Sequence, residues 1–311
     1  MLAALRLRHR LARALDAFMD ARDYLEVTTP TRVVSPGLDV HLDAFACHDK
    51  GRRWLRTSPE FHMRRVAAAG VPRLYQLGPA YRAGELGALH QPEFSLLEWY
   101  RSAAAGEAGL QSLMRETEAL LQALATCAVG EAGFVARAGR RVSVAGPFAQ
   151  LSFAAALQQY APAALPALQQ RDLDAVEAAF ALEVAPQLGW DRPVFITHFP
   201  AEQTSLAATT VLAGRPVSLR AELFIAGVEL SNGYVELSDV ASYRARLSAL
   251  AQARQRLDKS IYPVDEALLA ALTEAQPPMV GNALGWDRLV MLLAGAACLD
   301  AVVFGAETTP A

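Results

Sequence analysis

Leu5, Leu11, Leu15 and Phe18 recur at helical spacing along residues 3–23, which predicts an amphipathic helix opening the chain. Tyr24 to Val27 reads as a short strand before Thr28-Thr29-Pro30. Ser58-Pro59 is a helix start, with Ser as N-cap and Pro at the first helical position, and Gly70 is its stop. Two β-type segments, 73–82 and 93–101, flank a glycine-containing loop, and residues 107–127 form a long amphipathic helix. Further on, 193–199, 217–225 and 228–237 read as strands, 239–257 and 265–275 as helices, and 285–298 as an apolar helix. The stretch 129–190 gives no clear pattern. Strands joined as hairpins, with helices interspersed irregularly, predict an α+β fold built on an antiparallel sheet flanked by helices.

Composition narrows the class. The 311 residues are 53% hydrophobic and 20% charged, which supports a sizeable core and excludes global disorder. The net charge of -3 argues against a generic nucleic-acid coat. Residues 1–101 carry 15 basic and 11 acidic side chains, so the excess of base lies at the front, where an acidic partner, a polyphosphate or plain solvation would each account for it. Cys47, Cys127 and Cys298 are isolated and form no CxxC pair, as expected in a reducing compartment. The apolar run Leu289 to Leu299 is too short to span a bilayer. The expectation is a soluble cytoplasmic protein with no membrane association.

Three constellations carry chemistry. In Glu93-Phe-Ser-Leu-Leu-Glu-Trp-Tyr-Arg101, strand alternation puts Phe94, Leu96, Glu98 and Tyr100 on one face, so a carboxylate lies between aromatic rings. In residues 221–236, a two-residue turn at Ala226-Gly227 pairs Phe224 with Glu229 and Glu222 with Ser231. Glu222 and Glu229 then share a face, within reach of one cation. In Gly281 to Leu293, Arg288 opens an apolar helix beside two glycines, an anion-binding arrangement. Each alone also permits a plainer reading: an outward polar face, a solvated hairpin, or simple helix capping.

Together they resemble the catalytic domain of class II aminoacyl-tRNA synthetases, nearest the lysyl type. The first helix with Val27-Thr28-Thr29-Pro30 resembles motif 1, Tyr81-Arg82 through Arg101 resembles motif 2, and 281–293 resembles motif 3. His90 and Phe94 stand eight and twelve residues after Arg82, and Glu60 stands twenty-two before it, as in that family. The resemblance implies that Arg82 holds the ATP α-phosphate and the amino-acid carboxylate. It implies that His90 and Arg288 hold the outer phosphates beside Gly285, that Phe94 stacks on adenine, and that Glu222 and Glu229 carry Mg²⁺. For a diamino acid, Ser58, Glu60 and Glu98 face the amine nearest the carboxylate, and Tyr100, Glu236 and Asn232 take the distal ammonium. Ser231 is expected beside Glu229 on the pocket face, where its bulk favours β-lysine over lysine. Motif 1 implies a homodimer.

Departures refine the expectation. Chain start and motif 1 nearly coincide, so residues 1–311 are read as one catalytic domain with no amino-terminal oligonucleotide-binding barrel. That architecture, with Ser-Pro-Glu-Phe-His-Met at 58–63 and Leu-Glu-Trp-Tyr-Arg at 97–101, resembles the elongation factor P–lysine ligases. Those enzymes use ATP to activate lysine or β-lysine and pass it to a lysine of elongation factor P, with no tRNA or DNA involved. Gly84 stands where motif 2 usually has Glu, with Glu85 next, which puts the Glu contact near adenine in question. Two competing readings are a small-molecule amide ligase of the asparagine-forming type and a non-catalytic amino-acid or adenylate sensor. The carboxylate set opposes the first, and the retained phosphate-binding residues oppose the second.

Overall fold

The structure is a computed structural model that describes residues 2–48, 51–130, 133–203, 206–272 and 277–305. Its strands are β1 (Leu25–Glu26), β2 (Arg32–Val33), β3 (Ala46–Cys47), β4 (Arg53–Leu55), β5 (Arg73–Tyr81), β6 (Glu93–Ser102), β7 (Phe134–Arg137), β8 (Arg140–Ser143), β9 (Ala149–Ser152), β10 (Val194–Thr197), β11 (Thr209–Leu212), β12 (Arg215–Ser218), β13 (Arg220–Ile225), β14 (Val228–Val235) and β15 (Met279–Gly285). The α-helices are α1 (Leu2–Asp20), α2 (Glu60–Ala68), α3 (Gly106–Val129), α4 (Phe153–Tyr160), α5 (Leu165–Gln170), α6 (Leu173–Ala179), α7 (Val240–Arg256), α8 (Glu266–Ala271) and α9 (Trp286–Ala294).

Eight strands form one sheet in the order β1-β5-β6-β15-β14-β13-β10-β9. Its centre is antiparallel as predicted, but both edges are parallel: β1 runs with β5, and β9 with β10. The sheet is therefore mixed. One face packs against α1, α3 and α9 through a large apolar cluster that includes Leu11, Leu15, Trp99, Leu120, Leu223, Val280 and Leu292. The other face carries Glu98 and Tyr100 and looks toward α2, α7 and the β2–β4 sheet. Alternation along β6 sorts Leu97 and Trp99 into the core and Glu98 and Tyr100 onto the opposite side.

Boundaries follow capping chemistry. Asp239 and Asp265 each accept a backbone N–H in the first turn of α7 and α8, and Gly295, at φ +65°, stops α9. Predicted helix 265–275 ends at Ala271; its residues 273–275 lie outside the described residues. Predicted strand 217–225 is two strands, β12 and β13, divided at Leu219. Ser58 is not the N-cap of α2, because Pro59 takes that position; its hydroxyl accepts the Glu60 N–H and donates to Glu98. The unreadable 129–190 stretch holds the β7–β8 hairpin, which joins the main cluster through Val135 and Val142, and edge strand β9 with three helices, which pack around a second cluster of Phe153, Phe180, Phe199 and Phe224. No helix among the described residues is long and apolar enough to cross a membrane.

Candidate active site

A cavity of about 780 Å³ opens on the polar face of the sheet. Of the residues singled out from sequence, Ser58, Glu60, Arg82, His90, Phe94, Glu98, Tyr100, Glu229, Ser231, Asn232, Gly285 and Arg288 border it. Glu222 and Glu236 sit just behind its wall, 6% and 4% exposed.

One end is built to receive anions. The Arg82 guanidinium lies 4.9 Å from the centroid of the Phe94 ring, and its buried Nε has no hydrogen-bond acceptor among the described residues. Arg288 donates from Nε to the Leu89 carbonyl and from Nη1 to the Glu229 carbonyl, and its Nη2 is 2.8 Å from His90 Nε2. Burial and the neighbouring Arg288 hold His90 below the ordinary imidazole range, so the ring tends to be neutral. Gly84 adopts φ +82°, a conformation that glutamate rarely takes, and Glu85 turns back to within 3.8 Å of Arg82. Glu85, the next residue, is therefore the acidic side chain beside Arg82.

The other end is acidic. Glu98 is 1% exposed and accepts hydrogen bonds from Ser58 (2.6 Å) and Tyr100 (2.9 Å). Burial pushes its carboxyl up to about 6, against the pull of these two donors. Glu60 accepts from Tyr234 Oη at 2.8 Å; burial and the nearby Glu236 raise it well above the ordinary carboxylate value. Glu236 is pushed up to about 7 by burial, opposed by Arg64. Three carboxyls that burial keeps from ionising readily form a site that gains most from cationic groups.

Between these ends, Glu222 and Glu229 lie on adjoining strands. Burial raises Glu222 to about 7, with Arg220 opposing the shift and the charge of Glu229 adding to it. Arg220 forms an ion pair with Glu222 and donates to Asn232 Oδ1. No group of three or more His, Cys, Asp or Glu side chains that could hold a metal occurs among the described residues. Two carboxylates alone suit Mg²⁺, which is commonly held by one or two protein carboxylates and completed by substrate phosphates. The donor set therefore fits a metal brought in with a nucleotide.

The hairpin corrects one expectation. Ala226 and Gly227, at φ +52° and +72°, make the predicted two-residue turn, and Phe224 does oppose Glu229. A bulge then intervenes: Leu223 opposes Ser231 and Glu222 opposes Asn232, leaving Leu230 as the extra residue. Ser231 thus shares a face with Leu223 and Leu284, on the helix-covered side. There its hydroxyl approaches Asn282 Nδ2 at 3.5 Å, and Asn282 donates to Thr117 of α3. Ser231 borders the cavity, but its side chain does not project beside Glu229 as expected. The small side chain on the pocket face is Ala283, which stands between Glu98 and Asn232.

Four arginines not singled out from sequence organise the site. Arg64 of α2 pairs with Glu236 at 2.9 Å. Arg220 pairs with Glu222. Arg8 of α1 pairs with Asp287, which also accepts the Ser95 N–H, so the first helix ties Phe94's strand to the helix bearing Arg288. Arg254 of α7, fully buried, donates to the carbonyls of Asp39, Val40 and Leu42 and pairs with Asp43 at 2.6 Å; residues 39–42 form the outer wall of the cavity. The usable signal was charge balance, since a buried carboxylate calls for a cation, and Arg64 lies one helical turn after Glu60.

Comparison with known proteins agrees with this geometry. Residues 1–308 match the family model described as tRNA synthetases class II (D, K and N). Proteins named elongation factor P–(R)-β-lysine ligase are similar over nearly the whole chain. The one from Edwardsiella ictaluri is 38% identical, covering 92% of this chain and 89% of its own. Those from Sodalis glossinidius (37%; 93% and 91%) and Vibrio cholerae (36%; 97% and 94%) match to a similar extent. With a mixed sheet, the nucleotide-side arginines and an acidic pocket in one cavity, this chain belongs to the class II tRNA synthetase family of the D, K and N type.

Proposed function

We propose that this protein is an ATP-dependent ligase that activates (R)-β-lysine, or lysine, as an aminoacyl-adenylate and transfers it to a lysine ε-amine of elongation factor P. One observation carries the reading: an arginine-lined end and an acidic end, lined by Glu60 and Glu98 with Glu236 just behind the wall, share one cavity. That polarity matches a molecule with an anionic head and two ammonium groups. Relatives bearing that ligase name over some nine-tenths of their own length support it.

In this mechanism the amino-acid carboxylate attacks the ATP α-phosphorus and pyrophosphate leaves. Arg82 neutralises charge at the reacting centre, while His90 and Arg288 hold the outer phosphates. Phe94 stacks on the adenine. Glu222 and Glu229 would hold Mg²⁺, which supplies charge neutralisation on the phosphates when bound. Glu98, fixed by Ser58 and Tyr100, presents a carboxylate to one amine, with Glu60 beside it; Glu236 faces the other, while Asn232, bonded to Arg220 and Glu222, stands on the metal side of the pocket. The acceptor amine then attacks the acyl carbon and AMP leaves. In this reading the protein works as a homodimer in the cytoplasm, and neither tRNA nor DNA is its acceptor.

The test is pyrophosphate exchange driven by single amino acids, followed by intact-mass analysis of elongation factor P. Exchange with either lysine isomer and a one-residue mass gain are expected. Exchange driven instead by aspartate would favour the asparagine-forming alternative, and efficient charging of lysine tRNA would favour a synthetase. Sedimentation as an active monomer at micromolar concentration would count against the dimer.

A further inference from the structure

Glu236 and Arg64 are 4% exposed, and they come from different elements, β14's end and α2. Arg64 Nη1 stands 2.9 Å from Glu236 Oε2, as an ion pair outside hydrogen-bond geometry, and Arg64 Nη2 donates to the Leu237 carbonyl at 2.8 Å. The Arg64 guanidinium also lies 5.2 Å from the centroid of the Tyr243 ring. These contacts anchor it on three sides. The opposite oxygen of Glu236 points the other way: a Cβ added at Gly281 would fall 2.5 Å from Oε1 and 2.4 Å from the Tyr100 ring. That oxygen, buried and without a hydrogen-bond donor among the described residues, looks over the glycine toward the pocket floor.

We propose that Arg64 is a positioning residue for the amino-acid site: it holds Glu236 as an oriented anion and leaves its second oxygen for the distal ammonium of the substrate. The role rests on the diamino-acid reading above. The groups facing Glu236 are Glu60 and Arg64 from α2, Glu98 and Tyr100 from β6, Tyr234 from β14 and Tyr243 from α7. Arg64 is the cation in contact with Glu236; Arg56, also buried, is spent on the carbonyls of Thr29, Pro30 and Pro79. Without Arg64, the acidic neighbours would drive a proton onto Glu236 and cancel its attraction for an ammonium.

The experiment measures kcat/KM for (R)-β-lysine in pyrophosphate exchange across pH 5.5–9. The proteins are wild type, R64K, R64M, E236Q and the double variant R64M/E236Q, each with its thermal melt. R64M should move the acid limb of the profile to higher pH by about one unit, and lower kcat/KM at pH 7 on the order of tenfold. The loss should fall on the KM for the amino acid and spare the KM for ATP. R64K should restore both limb and KM. E236Q leaves Arg64 uncompensated and aimed at an arriving ammonium, so removing Arg64 as well should help: R64M/E236Q should exceed E236Q on the order of tenfold. That comparison remains decisive if R64M alone does not fold. An unmoved acid limb in a folded R64M, or a double variant weaker than E236Q, overturns the role. A wild type inactive with both lysine isomers overturns the site reading itself.

Discussion

Gly281 is the position where one methyl group should separate amino-acid recognition from nucleotide recognition. It lies on β15, opposite Tyr100 on one side and Tyr234 on the other. In Gly281→Ala the new Cβ would lie 2.4 Å and 2.6 Å from the Tyr100 ring and 2.5 Å from Glu236 Oε1. Ordinary carbon contacts are roughly 3.5–4.0 Å, so each neighbour must retreat by about 1 Å. Neither is free to do so: Tyr100 is hydrogen-bonded to Glu98 at 2.9 Å, and Glu236 is held by Arg64. Overpacking of this kind costs about 1–3 kcal/mol, and the strained Tyr100 hydrogen bond about 1 kcal/mol more. If about 2 kcal/mol of that falls on substrate binding, kcat/KM for the amino acid drops on the order of 30-fold. The assay is pyrophosphate exchange titrated in turn with amino acid and ATP, beside a thermal melt. The expected result is a raised KM for the amino acid, a KM for ATP within about threefold of wild type, and a lowered melting temperature. A variant that melts lower yet keeps its amino-acid KM would refute the reasoning, because the wall of Tyr100 and Glu236 would then not be where the amine binds.

Ser231→Gly should leave the ratio of kcat/KM for β-lysine and lysine unchanged within about twofold, since its hydroxyl faces Asn282 and α3; a tenfold change would put the side chain back in the pocket. Arg288→Ala should lower pyrophosphate exchange about 100- to 1,000-fold and the melting temperature by a few degrees, because the guanidinium faces bound phosphate and also donates to the Leu89 and Glu229 carbonyls; near-normal exchange would remove it from the site. Stability without ligand should fall as pH rises from about 5 to 8. Glu98 near 6 and Glu222 and Glu236 near 7 bind protons in the folded state that the unfolded chain has already released, so their stabilisation is lost as pH climbs through those values. Thermal melts should show a decline on the order of 5 °C, smaller with Mg-ATP and lysine present; a rise over that range would contradict the shifts.

The parts of the site legible in the sequence are those set by local geometry. Phe94 to Tyr100 sorted correctly because β6 is a central strand with a dry face and a polar one. Ala226-Gly227 was readable because a glycine between two apolar strand runs marks a two-residue turn, and here both residues take positive φ. Ser231 was misplaced because one inserted residue, Leu230, is invisible in an alternation pattern yet reverses every side chain beyond it. The same bulge puts Asn232, Tyr234 and Glu236 on the pocket side although they differ in parity from Glu229. The arginine partners were illegible for another reason: Arg8 and Asp287 are 279 positions apart, and nothing local in 27 scattered arginines marks which will be buried. Residues 129–190 resisted because short helices and an edge strand, packed on a cluster of their own, leave no long periodicity to read.

The knot at Arg254 has a bearing on how this protein can change. The stretch it secures is irregular in backbone, yet the guanidinium grips mainly carbonyl oxygens, those of Asp39, Val40 and Leu42, with only Asp43 held through its side chain. A clasp that reads main chain is indifferent to what Val40 or His41 carry toward the opening. Those positions are free to be exchanged while the aperture keeps its shape, so newcomers can be admitted or refused by a few substitutions at the entrance. The chemistry inside, built on Arg82 and the carboxyls, need not be rebuilt each time.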